Sequence, residues 1–138
     1  DDSVRRGKYL ATIANCGYCH TPRDGQWRAF TPEAFSGGWE MVGPWGRVAS
    51  TNITPHPSTF VGKATREQFI ARFKAYGSSN GAAASFAVGT NTPMPWLELS
   101  GMTVEDLGAI YDFLRSLPPA PKQVVAFPSA GAAPTPLN

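Results

Sequence analysis

Cys16-Gly17-Tyr18-Cys19-His20 uses the only two cysteines of the chain and one of its two histidines. Two thiols separated by two residues on a tight helical turn can each add across one vinyl group of a porphyrin. A histidine directly after the second thiol is then carried under the ring, where its imidazole can bind the iron. The stretch therefore reads as the attachment site of one c-type haem, with Cys16 and Cys19 as thioether donors and His20 as the proximal iron ligand. Three other readings of the same residues are weaker. A redox Cys-x-x-Cys pair normally follows a strand in a βαβ pattern, whereas the residues before Cys16 read as helix. A structural zinc site needs four N or S ligands, and only His56 remains to join Cys16, Cys19 and His20. A disulfide across two residues leaves His20 without a role.

The remaining composition fits one haem-binding domain. The chain has 138 residues, 42% of them apolar and 16% charged, which suits a globular domain with its own core. A formal charge of +2 is too small to imply nucleic-acid binding, and the basic residues are scattered apart from Arg5, Arg6 and Lys8. No apolar run reaches the length of about 18 residues that marks a membrane span. Thioether attachment of haem implies export of the chain. Asp1 is accordingly expected to follow a removed signal peptide, with the protein in the periplasm or on the extracytoplasmic face of a membrane.

Three helices are predicted. The first runs from about Ser3 to Asn15, with Ser3 as N-cap and Val4, Gly7, Leu10, Ala11 and Ala14 on one face. Gly7 on that face weakens a helix unless another element packs closely there. The second runs from about Arg66 to Tyr76, opened by a Thr65/Gln68 capping box, with Phe69, Ile70 and Phe73 as its apolar stripe and Gly77 suited to the C′ position. The third runs from Val104 to about Leu117. It starts at Thr103 and Asp106, carries Leu107, Ile110, Tyr111, Leu114 and Leu117, and is stopped by Pro118-Pro119. Between them the chain is rich in Gly, Pro, Ser and Asn without a convincing strand pattern. Such loops can wrap a large apolar disc in place of packing on one another. The Pro-rich residues after Leu117 read as an extended tail or linker stub, although Val124, Val125 and Phe127 could pin its first half to the body.

Four side chains could close the other side of the iron: Met41, Met94, Met102 and His56. Met102 precedes the last helix at N′, where it would staple onto Leu107. Met41 sits in an apolar loop, where filling a gap is the default. His56 lies between two prolines and reads as a surface histidine. Met94, in Thr92-Pro93-Met94-Pro95-Trp96, is held in an extended loop by flanking prolines and is the favoured ligand.

These residues resemble the mono-haem cytochrome c fold, and more narrowly the cytochrome c domains of bacterial membrane-bound alcohol and aldehyde dehydrogenase subunits. Gly7-Lys8-Tyr9-Leu10 is similar to the family's opening helix, Asn52-Ile53-Thr54-Pro55 to a loop motif of the subfamily, Met94-Pro95-Trp96 to its methionine-ligand segment, and Asp106 to Pro119 to its closing helix. His56 departs from the family, which usually places an acidic residue there. The resemblance implies an all-α domain over residues 1–120, three to four helices with long loops around one haem, and a Pro/Ala-rich tail over residues 121–138. It also implies that the first helix crosses the last with Gly7 against Tyr111 or a neighbour, and that Pro44 supplies the carbonyl accepting the other ring N–H of His20.

The function expected is one-electron transfer through a His20/Met94-ligated haem, as a carrier or as the electron-transfer part of a periplasmic oxidoreductase chain, without catalytic residues of its own. The alternative is a haem enzyme or gas sensor with a displaceable sixth ligand, although His56 alone could serve as a distal acid–base group. Arg47, Asn52, Trp45 and Trp39 are candidate donors to the haem propionates. Redox partner proteins are expected to dock transiently through a small, weakly charged patch framed by Gly17, Tyr18 and the Met94-Pro95 loop.

Overall fold

The computed structural model describes residues 1–43, 46–77 and 93–128. Helix α1 spans Asp2–Ile13, and its N-cap is Asp1, whose carboxylate accepts from Ser3 N at 2.9 Å. The predicted cap, Ser3, lies inside the first turn, where its hydroxyl donates to Asp112 Oδ2 at 2.5 Å on the last helix. The shift by two residues follows from the stronger acceptor standing at the chain start. Asn15 takes a left-handed φ of 61°, which ends α1 short of the predicted boundary and starts the single turn α2, Cys16–Cys19.

The closing helix, α6 (Val104–Arg115), begins at Thr103, whose hydroxyl accepts from Asp106 N at 3.1 Å. It crosses α1 at Gly7. A Cβ on Gly7 would collide with the Ala109 carbonyl and approach Phe113 Cβ to 2.8 Å. The crossing partners are thus Ala109 and Phe113 rather than Tyr111, whose hydroxyl instead reaches the Ala64 carbonyl at 2.7 Å. Phe113 is not on the predicted stripe; it is buried because α6 is covered on two sides, by α1 and by the helix Arg66–Lys74.

Helix α4, Arg66–Lys74, carries the predicted capping box complete: Gln68 N donates to Thr65 Oγ1 at 3.1 Å and Thr65 N to Gln68 Oε1 at 2.9 Å. Its last predicted turn tightens into a 3₁₀ turn over Ala75–Gly77. Phe69, Ile70 and Phe73 face inward and continue into an aromatic set. Phe69 lies 5.5 Å from Tyr111, Phe73 5.0 Å from Trp96, and Tyr76 stacks on Trp96 at 4.5 Å. Burying each such side chain stabilises the fold by about 1.5–3 kcal/mol. Two short helices complete the set: α3, Phe60–Lys63, capped by Thr59, and α5, Trp96–Ser100.

Two features extend the predicted outline. Strands β1 (Glu40–Gly43) and β2 (Gly46–Ala49) pair antiparallel, Glu40 opposite Ala49 and Met41 opposite Val48. Each strand has only four residues, too few for alternation to stand out from the surrounding Gly and Pro. The segment after Pro119 packs on the body. Ala49 N donates to the Ala126 carbonyl at 2.8 Å, Asn52 Nδ2 to the carbonyls of Ala120 and Lys122 at 2.8 and 3.0 Å, and Ala120 N to Thr54 Oγ1 at 3.0 Å. Residues 120–127 therefore form a strap against the 46–54 segment.

Candidate functional site

The turn α2 follows α1 directly, so the rigid α1–α6 crossing fixes where both thiols stand. His20 closes the turn, its N–H donating to the Cys16 carbonyl at 2.9 Å. Cys16 and Cys19 carry free thiols and line one cavity together with His20. Burial pushes the Cys16 thiol up to about 11, with the neighbouring Cys19 adding to the effect against an opposing backbone hydrogen bond. Burial also raises the Cys19 thiol, opposed by the Arg23 guanidinium.

His20 is 8% exposed, and its Nδ1 lies 2.7 Å from the Thr51 carbonyl. Burial lowers its pKa, which the bond to Thr51 only partly offsets, so the ring is held neutral near pH 7. With Nδ1–H donated to a carbonyl, Nε2 carries the free lone pair, the form in which imidazole binds a metal. Pro44, expected in this acceptor role, lies outside the described residues, as does Trp45; the carbonyl that the ring meets belongs to Thr51. Gly37 explains how Thr51 comes so close. It has a φ of 74°, and any Cβ there would strike the Ser50 and Thr51 carbonyls, so the two segments touch through backbone. Gly37 N also donates to the His20 carbonyl at 2.7 Å.

The cavity has a volume of about 420 Å³, within the range of about 300–1,000 Å³ common for small-molecule and cofactor sites. Val48, Val61, Phe69, Phe73, Trp96, Ile110 and Leu114 make its wall apolar, and the strap contributes Lys122, Val124 and Phe127. Two thiols, one neutral imidazole and an apolar slot are a donor set that fits a covalently held haem. The zinc reading fails on geometry: among the described residues no three His, Cys, Asp or Glu side chains converge to hold a metal ion.

Of the four candidate sixth ligands, Met94 and Met41 line the cavity, whereas Met102 and His56 are not among its lining residues. Met94 is half-buried against the core, in a turn whose carbonyl accepts from Trp96 N at 2.8 Å. Met102 packs on the core just before the Thr103 cap. His56 Nδ1 pairs locally with Ser58 Oγ at 2.7 Å.

The candidate propionate donors divide differently. Arg47 forms a two-point ion pair with Glu40 across the β-ribbon, at 2.8 and 2.9 Å. Asn52 lines the cavity, but its NH₂ holds the strap and its carbonyl accepts from Thr54 N and Oγ1 at 3.0 and 2.8 Å. Its place in the Asn-Ile-Thr-Pro motif is thus that of an anchor. Trp39 packs edge-on to Tyr18 at 5.5 Å, with Arg23 over both rings, and its Nε1 is buried without a hydrogen-bond partner. Sequence reasoning missed Thr51, Glu33 and Lys122. Lys122 alone left a signal, being the single charged residue after Arg115.

Among the described residues no helix is long and apolar enough to cross a membrane. The chain is 34% identical to the fructose dehydrogenase cytochrome subunit of Gluconobacter japonicus, an alignment covering 91% of this chain and 24% of that protein. It is 33% identical to the cytochrome c subunit of the quinone alcohol dehydrogenase of Gluconobacter oxydans, over 80% of this chain and 20% of the relative. It is 32% identical to the gluconate 2-dehydrogenase cytochrome c subunit of Pantoea cypripedii, over 82% of this chain and 23% of the relative. The chain thus spans about a quarter or less of the length of these relatives. Residues 4–118 match the family model described as cytochrome c. With two thiols and a neutral imidazole on one apolar cavity and a family match across the body of the domain, the chain belongs to the cytochrome c family, whose members carry covalently bound haem c and transfer electrons.

Proposed function

We propose that His20 and Met94 hold the haem iron from opposite sides, and that the domain passes single electrons from a dehydrogenase toward the next carrier outside the cytoplasm. The observation that supports this reading is the cavity, which Cys16, Cys19, His20 and Met94 line together; Met41 lines it too, from the β-ribbon, while Met102 and His56 do not. When bound, the haem supplies an iron that cycles between Fe(II) and Fe(III). The chain supplies the rest. Thr51 keeps the His20 tautomer fixed, the soft Met94 sulfur favours the reduced metal, and Phe69, Phe73, Ile110 and Leu114 keep water out, which penalises the extra charge of the oxidised state. The Met94 sulfur and the apolar wall raise the potential above that of a solvated bis-histidine site, while the Thr51 bond makes His20 a stronger donor and acts modestly against them.

Likeness to dehydrogenase cytochrome subunits supports a dehydrogenase as electron donor, and thioether attachment supports an extracytoplasmic location after removal of a signal peptide. A net charge of +2 predicts short-range docking with a modest salt dependence.

The far-red methionine-to-iron charge-transfer band of the oxidised protein tests the ligation. The band is expected to vanish in Met94→Ala and to persist in Met102→Ala and Met41→Ala. Its persistence in Met94→Ala, or rapid CO binding by the reduced wild-type protein, would overturn the assignment and favour a gas-binding site.

A further inference from the structure

The strap places a lysine where a haem site has no ordinary use for one. Lys122 is 6% exposed and lines the cavity. Its ammonium lies 2.5 Å from Glu33 Oε2 and 3.4 Å from both Ser36 Oγ and the Gly37 carbonyl. The Glu33 side chain is itself only 11% exposed. Gly37 in turn donates from its N–H to the His20 carbonyl at 2.7 Å. The ammonium and the His20 backbone are therefore both held by Gly37, through its carbonyl and its N–H respectively. Asn52 ties the Lys122 backbone to the cavity wall, and the ammonium is held by its own contacts to Glu33, Ser36 and Gly37.

We propose that Lys122 and Glu33 are positioning residues with opposed effects on the haem potential, two opposite charges held fixed beside the His20 side of the site. A positive charge in a poorly solvated wall disfavours Fe(III) and raises the potential, and a carboxylate acts in the opposite sense. The pair keeps these two influences nearly balanced while locking residues 33–37 to the strap. Its formation costs desolvation, so stability alone is a weak reason to keep it. The inference rests on the haem assignment but not on Met94 as the sixth ligand.

The test is a charge cycle on the haem-loaded protein, read as reduction potential at pH 8. Glu33→Gln keeps an acceptor for Lys122 and leaves the ammonium unbalanced, so the potential is expected to rise. Lys122→Met keeps the aliphatic stem and removes the positive charge from the cavity wall, so it is expected to fall. The double variant is expected to return to the wild-type value even where its urea midpoint has moved. A purely structural pair would shift both single variants in the same direction, in step with lost stability. That result, or an unchanged potential in Glu33→Gln, overturns the proposal. Glu33→Gln decides the question by itself should Lys122→Met fail to retain haem. The Met94 band, followed in each variant, separates this outcome from any failure of the ligation assignment.

Discussion

Gly7 and Ala109 meet backbone to backbone where α1 crosses α6, and the close approach seats Cys16 and Cys19 at the end of a rigid helix. Gly7→Ala gains about 1 kcal/mol of helix propensity but drives a methyl into the Ala109 carbonyl. A net destabilisation of about 1–3 kcal/mol is expected from the overpacking. Urea unfolding should show a lower midpoint at unchanged slope, and a neutral or stabilised variant would refute the crossing.

Asn52 ties the strap to the cavity wall. Asn52→Ala removes donors to the Ala120 and Lys122 carbonyls and the acceptor for Thr54 N. A loss of about 2–4 kcal/mol is expected, since several buried groups are left unpaired together. Faster hydrogen exchange at Ala120 and Gln123 than at Ile110 would locate the damage in the strap.

Thr65 offers a contrasting, local prediction. Thr65→Ala removes one arm of a capping box on an exposed helix start, and about 1 kcal/mol should be lost. The visible spectrum should not change, because α4 presents its apolar side, not its cap, to the cavity. A spectral shift at this position would contradict that placement.

The depressed pKa of His20 has a definite sign. The unfolded chain takes up a proton near the ordinary value of 6.5, which the folded chain refuses. Stability is therefore complete above that pH and declines as pH falls below it, with a slope of at most about 1.4 kcal/mol per pH unit for one proton. Urea midpoints of the haem-free chain at pH 7.5 and pH 5 should differ in that direction, since iron would occupy the same ring nitrogen in the loaded protein. Equal midpoints would mean that His20 is protonated in the folded state.

How much of this was legible in the sequence depended on how local each cause is. The Thr65/Gln68 box, the Thr103 cap and the Phe69/Ile70/Phe73 stripe are written within a few residues, and the structure has them. Cys16 to His20 needed no tertiary context, because the spacing itself is the chemistry. Met102 before Thr103 could be set apart from Met94 because a helix start has a known use for an apolar residue. What was not legible depends on distant partners. Thr51 becomes the His20 acceptor only because Gly37 lets two segments touch. The hold of Asn52 on the strap has no local signal, because nothing near it announces that residues 120–122 return to it. Phe113 escaped the stripe because a helix covered on two faces loses the one-sided pattern.

Burial of Cys16 bears on the order of assembly. Only a thiolate reacts readily, and a thiol held at about 11 supplies almost none at neutral pH. The closed fold is therefore a poor acceptor for its own cofactor, and haem attachment belongs to a stage before the wall is complete. The strap that finishes the wall lies about 100 residues after the Cys16–His20 turn in the chain, so the turn is made before the strap. Haem attachment at Cys16 and Cys19 is therefore expected to precede the docking of residues 120–127 that shuts the cavity from water. A chain closed without haem should alkylate slowly, Cys19 ahead of Cys16, and should need reopening before it can be loaded.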